Sequence, residues 1–271
     1  MEDKSFSLGG IKPFDFMIKY SKMNKYNHTD GIDAHTHSEC EIYINLTGDI
    51  AFMVEDNIYQ VKRGNAIITR PNEWHHCIYN SDAEQRLFWI LFSSDGNEAF
   101  LDKFFKRKNG EKNLIVLSQE KSEELIDLCY KLLDKKKSDI KRYMYFFELL
   151  GYLEDSEASV ASDNLLSTDV ELAIEYINHN MSRNVSIKEA AAHAFVSVKT
   201  LERHFIKCLN MSPAEYIRYK RLVQSVEMLR EGKSVTEAAM ETGFCDTSHF
   251  IYSFKKHFKM TPLEYKKKAI K

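Results

Sequence analysis

Proline and glycine are scarce in this chain, 4 and 10 of 271 residues, which excludes collagen-like, low-complexity and long disordered architectures. Cysteine is limited to five widely separated residues, Cys40, Cys77, Cys129, Cys208 and Cys245, with no C-x-x-C pair. An odd, scattered set does not build a disulfide framework or a cysteine-rich zinc site; it reads as core thiols in a reducing compartment. No apolar run approaches the roughly 18 residues needed to span a bilayer, and the opening MEDKSFSLGG lacks the apolar stretch of a secretion signal. A cytoplasmic protein without membrane insertion is the expectation. Also missing are a glycine-rich phosphate loop and any Ser/His/Asp or Cys/His nucleophile arrangement at a defined spacing, so no enzyme chemistry and no cofactor are assigned.

What is present divides in two. The net charge is only -2, yet residues 168–271 carry 17 Lys and Arg against 12 Asp and Glu, while residues 1–167 carry 21 against 28. A basic module on an acidic body points to contact with a polyanion through the C-terminal part alone. Between Glu41 and Phe92, short runs rich in Ile, Val, Phe and Tyr (EIYINL, IAFMV, IYQV, AIIT, RLFWILF) are separated by turn residues. Five strands without intervening helices predict an antiparallel sandwich or small barrel. Helical spacing follows: SEELIDLCYKLLDKK places Leu125, Leu128, Cys129 and Leu132 on one side, and the next segment carries Tyr143, Phe146, Phe147, Leu150 and Leu153. This much apolar surface must be covered by the sheet, by the other helix or by a second chain, and pairing into a homodimer is expected. The Ser- and Asp-rich stretch Asp155 to Thr168 reads as a linker.

The C-terminal part repeats itself at 48 to 49 residues. SIKEAAAHAF (Ser186 to Phe195) answers SVTEAAMETGF (Ser234 to Phe244) with one residue more, and LERHFIKCLNMSPAEY answers FIYSFKKHFKMTPLEY. Ser186 with Glu189 and Ser234 with Glu237 form capping boxes, and Ser212-Pro213 and Thr261-Pro262 put proline where its missing N–H costs nothing. A short alanine-rich helix, a tight break and a second helix on an apolar base make a helix-turn-helix, here in two copies. Exposed positions on the second helices are candidates for DNA contact: Lys199, Thr200, Arg203 and Lys207 in the first copy, and Thr247, Ser248, Tyr252 and Lys256 in the second. Arg203 can pair bidentately with guanine, whereas the short hydroxyls and Tyr252 suit positioning on the backbone.

The segment GFCDTSHFIYSFKKHFKMTPLEYKK (Gly243 to Lys267) resembles the C-terminal signature of the AraC/XylS family of transcription factors. That resemblance implies two recognition helices in successive major grooves, commonly in a dimer, with Lys199 and Arg203 at positions the family uses for bases. Asn210 and Lys259 stand where the family has glycine; Asn tolerates the left-handed backbone better than Lys does.

In the N-terminal part, His35-x-His37-x-x-x-Glu41, then Gly48, Gly64, Pro71, His76 and Asn80, are spaced like the two cupin motifs, in which three histidines and a glutamate hold a metal in some members. Imidazoles and a carboxylate suit a divalent transition metal. However, the glycine before His35 is missing, the second motif is one residue longer, and Glu73 replaces a glycine. These residues are therefore read as an effector site without metal, with Trp74, Trp89, Tyr43 and Phe52 offering stacking faces for a sugar or another small polar metabolite.

The sequence thus predicts a two-domain α+β protein. Residues 1–155 form a cupin-like antiparallel β-barrel with a helical pair that binds effector and dimerises; residues 168–271 form an all-α tandem helix-turn-helix domain. The implied function is a sequence-specific regulator binding double-stranded DNA under the control of an effector at His35, His37, Glu41 and His76. The alternative is a metal-dependent cupin enzyme fused to a DNA-binding module.

Overall fold

The computed structural model describes residues 4–8, 14–23, 35–47, 50–79, 83–94, 96, 98–159, 166–181, 183, 185–258 and 260–269. Gly48, Asn80, Lys259 and the middle of the linker, 160–165, lie outside them. The chain divides into two compact units, Met1–Asp163 and Asn164–Lys271.

The first unit contains strands Lys4–Leu8 (β1), Phe16–Met23 (β2), Cys40–Asn45 (β3), Ile50–Val54 (β4), Asn57–Val61 (β5), Ala66–Thr69 (β6), His75–Tyr79 (β7) and Gln85–Phe92 (β8). After a single 3-10 turn come Asp102–Phe105 (α1), Leu114–Val116 (β9), Gln119–Leu133 (α2), Asp139–Glu154 (α3) and Glu157–Ser159 (β10). The expected barrel is not there. The strands form two open antiparallel sheets, one in the order β1-β2-β8-β3-β6-β9-β10 and one in the order β5-β4-β7, and neither closes on itself among the described residues. The α+β, two-unit architecture stands. Closure fails because β2 covers one flank of β8 while β9 and β10, beyond β6, extend the opposite end of the same sheet. β10 falls in the stretch read as a linker; three residues are too short to show a period.

Side-chain alternation sorts the large sheet's two faces. Ile42 and Ile44 of β3 and Phe88, Ile90 and Phe92 of β8 join Leu125, Leu128, Leu132, Phe146, Leu150 and Leu153 of α2 and α3 in one core. Tyr43, Ile67 and Leu87 face the other way and pack on Phe52, Val54, Tyr59, Cys77 and Tyr79 of the small sheet. With both faces covered, β3 is buried throughout, so its sequence alternates poorly. The helical faces expected to pair with a second chain through Leu125 and Leu132 are consumed within this core. The apolar residues that α3 leaves exposed are Ile140, Met144 and Phe147.

The second unit is all helical: Thr168–His179 (α4), Ile187–His193 (α5), Val198–Leu209 (α6), Pro213–Arg230 (α7), Val235–Glu241 (α8), Thr247–Phe258 (α9) and Pro262–Ala269 (α10). Reciprocal capping boxes open α5, α7 and α8, and Thr261 and Glu264 make the same pair of bonds at the start of α10. Around the second repeat, Leu222, Val226 and Leu229 of α7 pack with Ala238, Ala239, Phe250, Phe254, Phe258 and Tyr265. Alanine on α8 lets the helices approach closely, and the aromatic rings of α9 fill the remaining space.

The repeats align through their turns. Val196 N–H donates to Ala191 C=O and Phe244 N–H to Ala239 C=O, both at 3.0 Å, so Phe195 is the counterpart of Gly243 and the extra residue of the second copy falls in the turn after Phe244. Both positions are left-handed, φ 59° for Phe195 and 83° for Gly243, but Phe195 is also 88% exposed. Left-handed backbone costs a non-glycine residue about 1–2 kcal/mol, and glycine's larger freedom when unfolded returns about 0.5–1 of it. Phe195→Gly is therefore expected to stabilise the helical unit by about 0.5–1 kcal/mol in urea unfolding monitored by circular dichroism; destabilisation would mean that the exposed ring has a packing partner. Asn210 ends α6 at φ 52°, the left-handed cap for which asparagine suffices.

Candidate functional site

Three segments converge between the two sheets. His35 and His37 lie on the approach to β3, Glu41 is its second residue, and His75 opens β7 on the facing sheet. An isolated β-bridge fixes their relation: His35 and His75 exchange both backbone N–H···O bonds at 3.1 Å. One Glu41 oxygen, Oε2, is 2.8 Å from His37 Nε2 and 2.9 Å from His75 Nε2. One ligand atom from each of His35, His37, Glu41 and His75 lies within 4.8 Å of the others.

The third histidine of the cluster is thus His75, where the sequence pointed to His76. Across the β4–β7 pairing, Val54 faces His75, Met53 faces His76 and Phe52 faces Cys77. Alternation sends His75 and Cys77 to the interior face and His76 to the opposite one, where its ring packs on Trp74 with centroids 5.0 Å apart. Trp74 is therefore not a stacking face of this cavity.

Glu41 and His75 are both buried, and their charges support each other. Burial works against the Glu41 anion, but His75 and hydrogen bonds from both imidazoles more than offset it and hold the carboxyl well below its ordinary range. Burial also lowers the His75 pKa, yet the facing Glu41 charge reverses this and raises it overall. The cluster opens on a cavity of about 80 Å³ lined also by Tyr43, Phe52, Cys77, Trp89 and Leu91, which His76 borders although its ring turns to Trp74. That is several times the space one water needs, but well below the roughly 300–1,000 Å³ of pockets for drug-sized ligands. Trp89 Nε1–H is buried in this wall without a hydrogen-bond acceptor among the described residues.

A second polar group supports the cluster from behind. Glu73, fully buried, receives both Arg107 guanidinium nitrogens at 2.6 Å, Gly110 N–H at 2.7 Å, Asn113 Nδ2 at 3.0 Å and Arg70 N–H at 3.1 Å. Burial alone would raise its pKa; the Arg107 bonds and charge lower it. Its backbone carbonyl accepts from His75 Nδ1 at 2.8 Å. The residue that breaks the cupin-like pattern thus anchors the turn that presents His75. Only proximity in the sequence hinted at this, since Arg107 and Asn113 lie more than thirty residues away.

In the helical unit, α6 and α9 are the second helices of the two repeats, and their exposed residues fall at matching positions. Lys199, Arg203 and Lys207 correspond to Ser248, Tyr252 and Lys256; all six are exposed and spaced four apart along one helix face. Thr200 and Thr247 are only half-buried, and the Thr200 hydroxyl lies 2.8 Å from Ser197 Oγ, within the cap of α6. Asp246 caps α9, accepting from the N–H groups of Ser248 and His249 at 3.0 Å. His204, between the readers' exposed residues and the core, binds Asp169 of α4 at 2.7 Å.

A sheet-built unit with a largely apolar cavity edged by histidines and a carboxylate, on one chain with two helix-turn-helix units that each expose a polar helix face, defines a one-chain DNA-binding regulator. Residues 24–150 match the AraC-like ligand binding domain family and residues 190–268 a helix-turn-helix domain family. The chain is an AraC/XylS-family helix-turn-helix transcription factor with an N-terminal AraC-like ligand-binding domain. It is 25% identical over 247 residues to the HTH-type transcriptional activator RhaR of Mannheimia succiniciproducens, covering 88% of each chain. To the lactose operon transcription activator of Staphylococcus xylosus it is 21% identical, covering 86% of this chain and 82% of that one. A solved AraC-type regulator structure from Chromobacterium violaceum matches 37% of this chain and 91% of its own at 26% identity, with a TM-score of 0.36. The family consists of regulators rather than enzymes, which removes the fused cupin enzyme as a reading. No described helix is long and apolar enough to cross a membrane.

Proposed function

We propose that this sequence-specific DNA-binding regulator is controlled by a small effector bound over His35, His37, Glu41 and His75, while the His76 side chain, on the opposite face of β7, stands outside the cluster. The observation that carries this reading is the cavity itself: one buried and two partly buried imidazoles, a buried carboxylate and an unsatisfied indole N–H beside the aromatic faces of Tyr43, Phe52 and Trp89. Buried polar groups reject ligands that leave them unpaired, so a compact polyhydroxylated molecule is favoured, and the name of one relative, a lactose operon activator, supports the sugar class. DNA contact is assigned to Lys199, Arg203 and Lys207 on α6 and to Ser248, Tyr252 and Lys256 on α9, with Thr200 and Thr247 at the helix starts. The protein acts in the cytoplasm as a homodimer, for which the exposed Ile140, Met144 and Phe147 of α3 offer an apolar stripe.

Effector binding can alter DNA binding only through different affinities for two states of the protein. A thermal-shift screen of sugars and small metabolites identifies the ligand, because binding to the folded state alone raises stability. His37→Ala is then expected to abolish the ligand's effect on operator binding by the full chain while leaving ligand-free DNA affinity within about twofold, because His37 belongs to the sheet-built unit and the reading helices to the other. A variant that responds like wild type would move sensing away from this cavity.

A further inference from the structure

The first recognition helix carries an exposed arginine next to a histidine that is turned away from solvent. Arg203 is exposed on α6, whereas the side chain of His204 is only 30% exposed and meets the first turn of α4. There His204 Nδ1 lies 2.7 Å from Asp169 Oδ2, while its Nε2 lies 3.4 Å from Arg203 Nη2. The outer members of this chain have fixed polarity. A guanidinium only donates and an ionised carboxylate only accepts, so a neutral imidazole carrying its proton on Nδ1 satisfies both neighbours at once. Burial works against the Asp169 anion, but hydrogen bonds from Ser167 and His204 outweigh it and hold the carboxyl below its ordinary range.

From this chain of contacts, and on the assignment of Arg203 to base reading made above, we infer that His204, held by Asp169, is a positioning residue that sets the Arg203 guanidinium for a base edge. One guanidinium N–H goes to the imidazole and the others stay available, enough for a paired contact with guanine. Ordering a long side chain at an interface costs about 2–10-fold in affinity, and an arginine already held in place avoids part of that cost. Asp169 matters because an imidazole without a partner can turn over; with Nδ1 tied to α4, Nε2 faces Arg203. The wall behind the ring is itself fastened, since Cys208 Sγ, one turn after His204, lies 3.8 Å from Ser167 Oγ at the cap of α4.

The second repeat supplies the contrast. Arg203 and His204 align with Tyr252 and Ser253, and Ser253 is buried, 7% exposed. A serine is therefore enough to pack a recognition helix at this position, and packing alone does not call for an imidazole. The histidine stands in the copy whose exposed residue is a flexible arginine; Tyr252 has only two side-chain torsions to fix.

The test measures affinity of the full chain for a selected operator and for the same operator with one base pair exchanged, the pair at which Arg203→Ala loses its preference. The ratio of the two affinities is the discrimination. His204→Ala should lower it about 2–10-fold, and Asp169→Ala should lower it less, because the ring is freed but remains. His204→Gln should recover most of it, since its amide N–H donates to Asp169 and its oxygen accepts from Arg203. In the Arg203→Ala background, His204→Ala should change discrimination no further, the mark of a residue that acts through another. Should His204→Ala fail to fold by circular dichroism, His204→Leu, which fills the space without either bond, takes its place. Equal weakening of both operators by the His204 variants, or a loss of discrimination that persists in the Arg203→Ala background, would overturn the positioning role while leaving Arg203 as a reader. An unchanged motif from Arg203→Ala would instead remove the base reading and the positioning role together.

Discussion

Arg107→Ala is expected to destabilise the sheet-built unit by about 3–5 kcal/mol, the usual cost of leaving one partner of a buried ion pair alone. The Arg107 side chain is 3% exposed and that of Glu73 0%. Removing the guanidinium strips the carboxylate of two of its five donors and of the charge that keeps it ionised, while Gly110, Asn113 and Arg70 still hold it in place. At about 2–4 °C per kcal/mol for a unit of this size, the melting temperature should fall by about 6–20 °C. Both tryptophans, Trp74 and Trp89, belong to this unit, so their fluorescence reports its unfolding without a contribution from the helical one. Neutralising both partners, Glu73→Gln with Arg107→Met, should recover part of the loss, because no charge is then stranded and the amide oxygen still accepts from the remaining donors. A loss below about 1 kcal/mol for Arg107→Ala would show that water reaches Glu73.

The same region shows where the sequence could be read and where it could not. Strands such as Ile50–Val54 and Gln85–Phe92 announce themselves as apolar runs ended by turn residues, and the duplicated helix-turn-helix follows from capping boxes that the structure forms bond for bond. β7 announces nothing, because HHCIY places two histidines where a strand signal needs β-branched or aromatic residues. Without that strand there is no alternation to apply, and the spacing points to His76 where pairing with β4 turns His75 inward. Closure could not be judged either. Whether a run of antiparallel strands closes depends on what lies at its edges, and β9 and β10 are three residues each. The apolar faces of α2 and α3 were legible, but their choice between sheet and second chain was not, since burial against either leaves the same periodicity. Arg107 and Asn113 illustrate the remaining gap: a lone arginine and asparagine in a turn carry no local sign that they neutralise a glutamate on another segment.

For each chain bound, operator affinity should weaken on the order of 10²–10³-fold between about 50 and 200 mM salt, since each phosphate neutralised contributes a slope of about -0.9 in log affinity against log salt. Five exposed cations, Lys199, Arg203 and Lys207 on α6 and Lys255 and Lys256 on α9, set the upper end of that range. They should not be equivalent. Arg203 lies in the exposed row of α6 one turn after Lys199, and its planar fork can take two acceptors of a guanine edge, so Arg203→Ala should lose about 1–3 kcal/mol of discrimination at one base pair. Lys207, a further turn along, is a point charge with no matching geometry; Lys207→Ala should weaken all sequences alike and reduce the salt slope by about 1. At the matching positions of α9, Ser248 and Tyr252 carry no charge, so Tyr252→Ala should change affinity with little change in slope. Randomised-site selection with each variant, paired with salt titration of the selected sites, separates the three. An unchanged motif from Arg203→Ala would remove α6 as the specifying helix, and a salt slope near zero for the wild type would remove both helices from the DNA backbone.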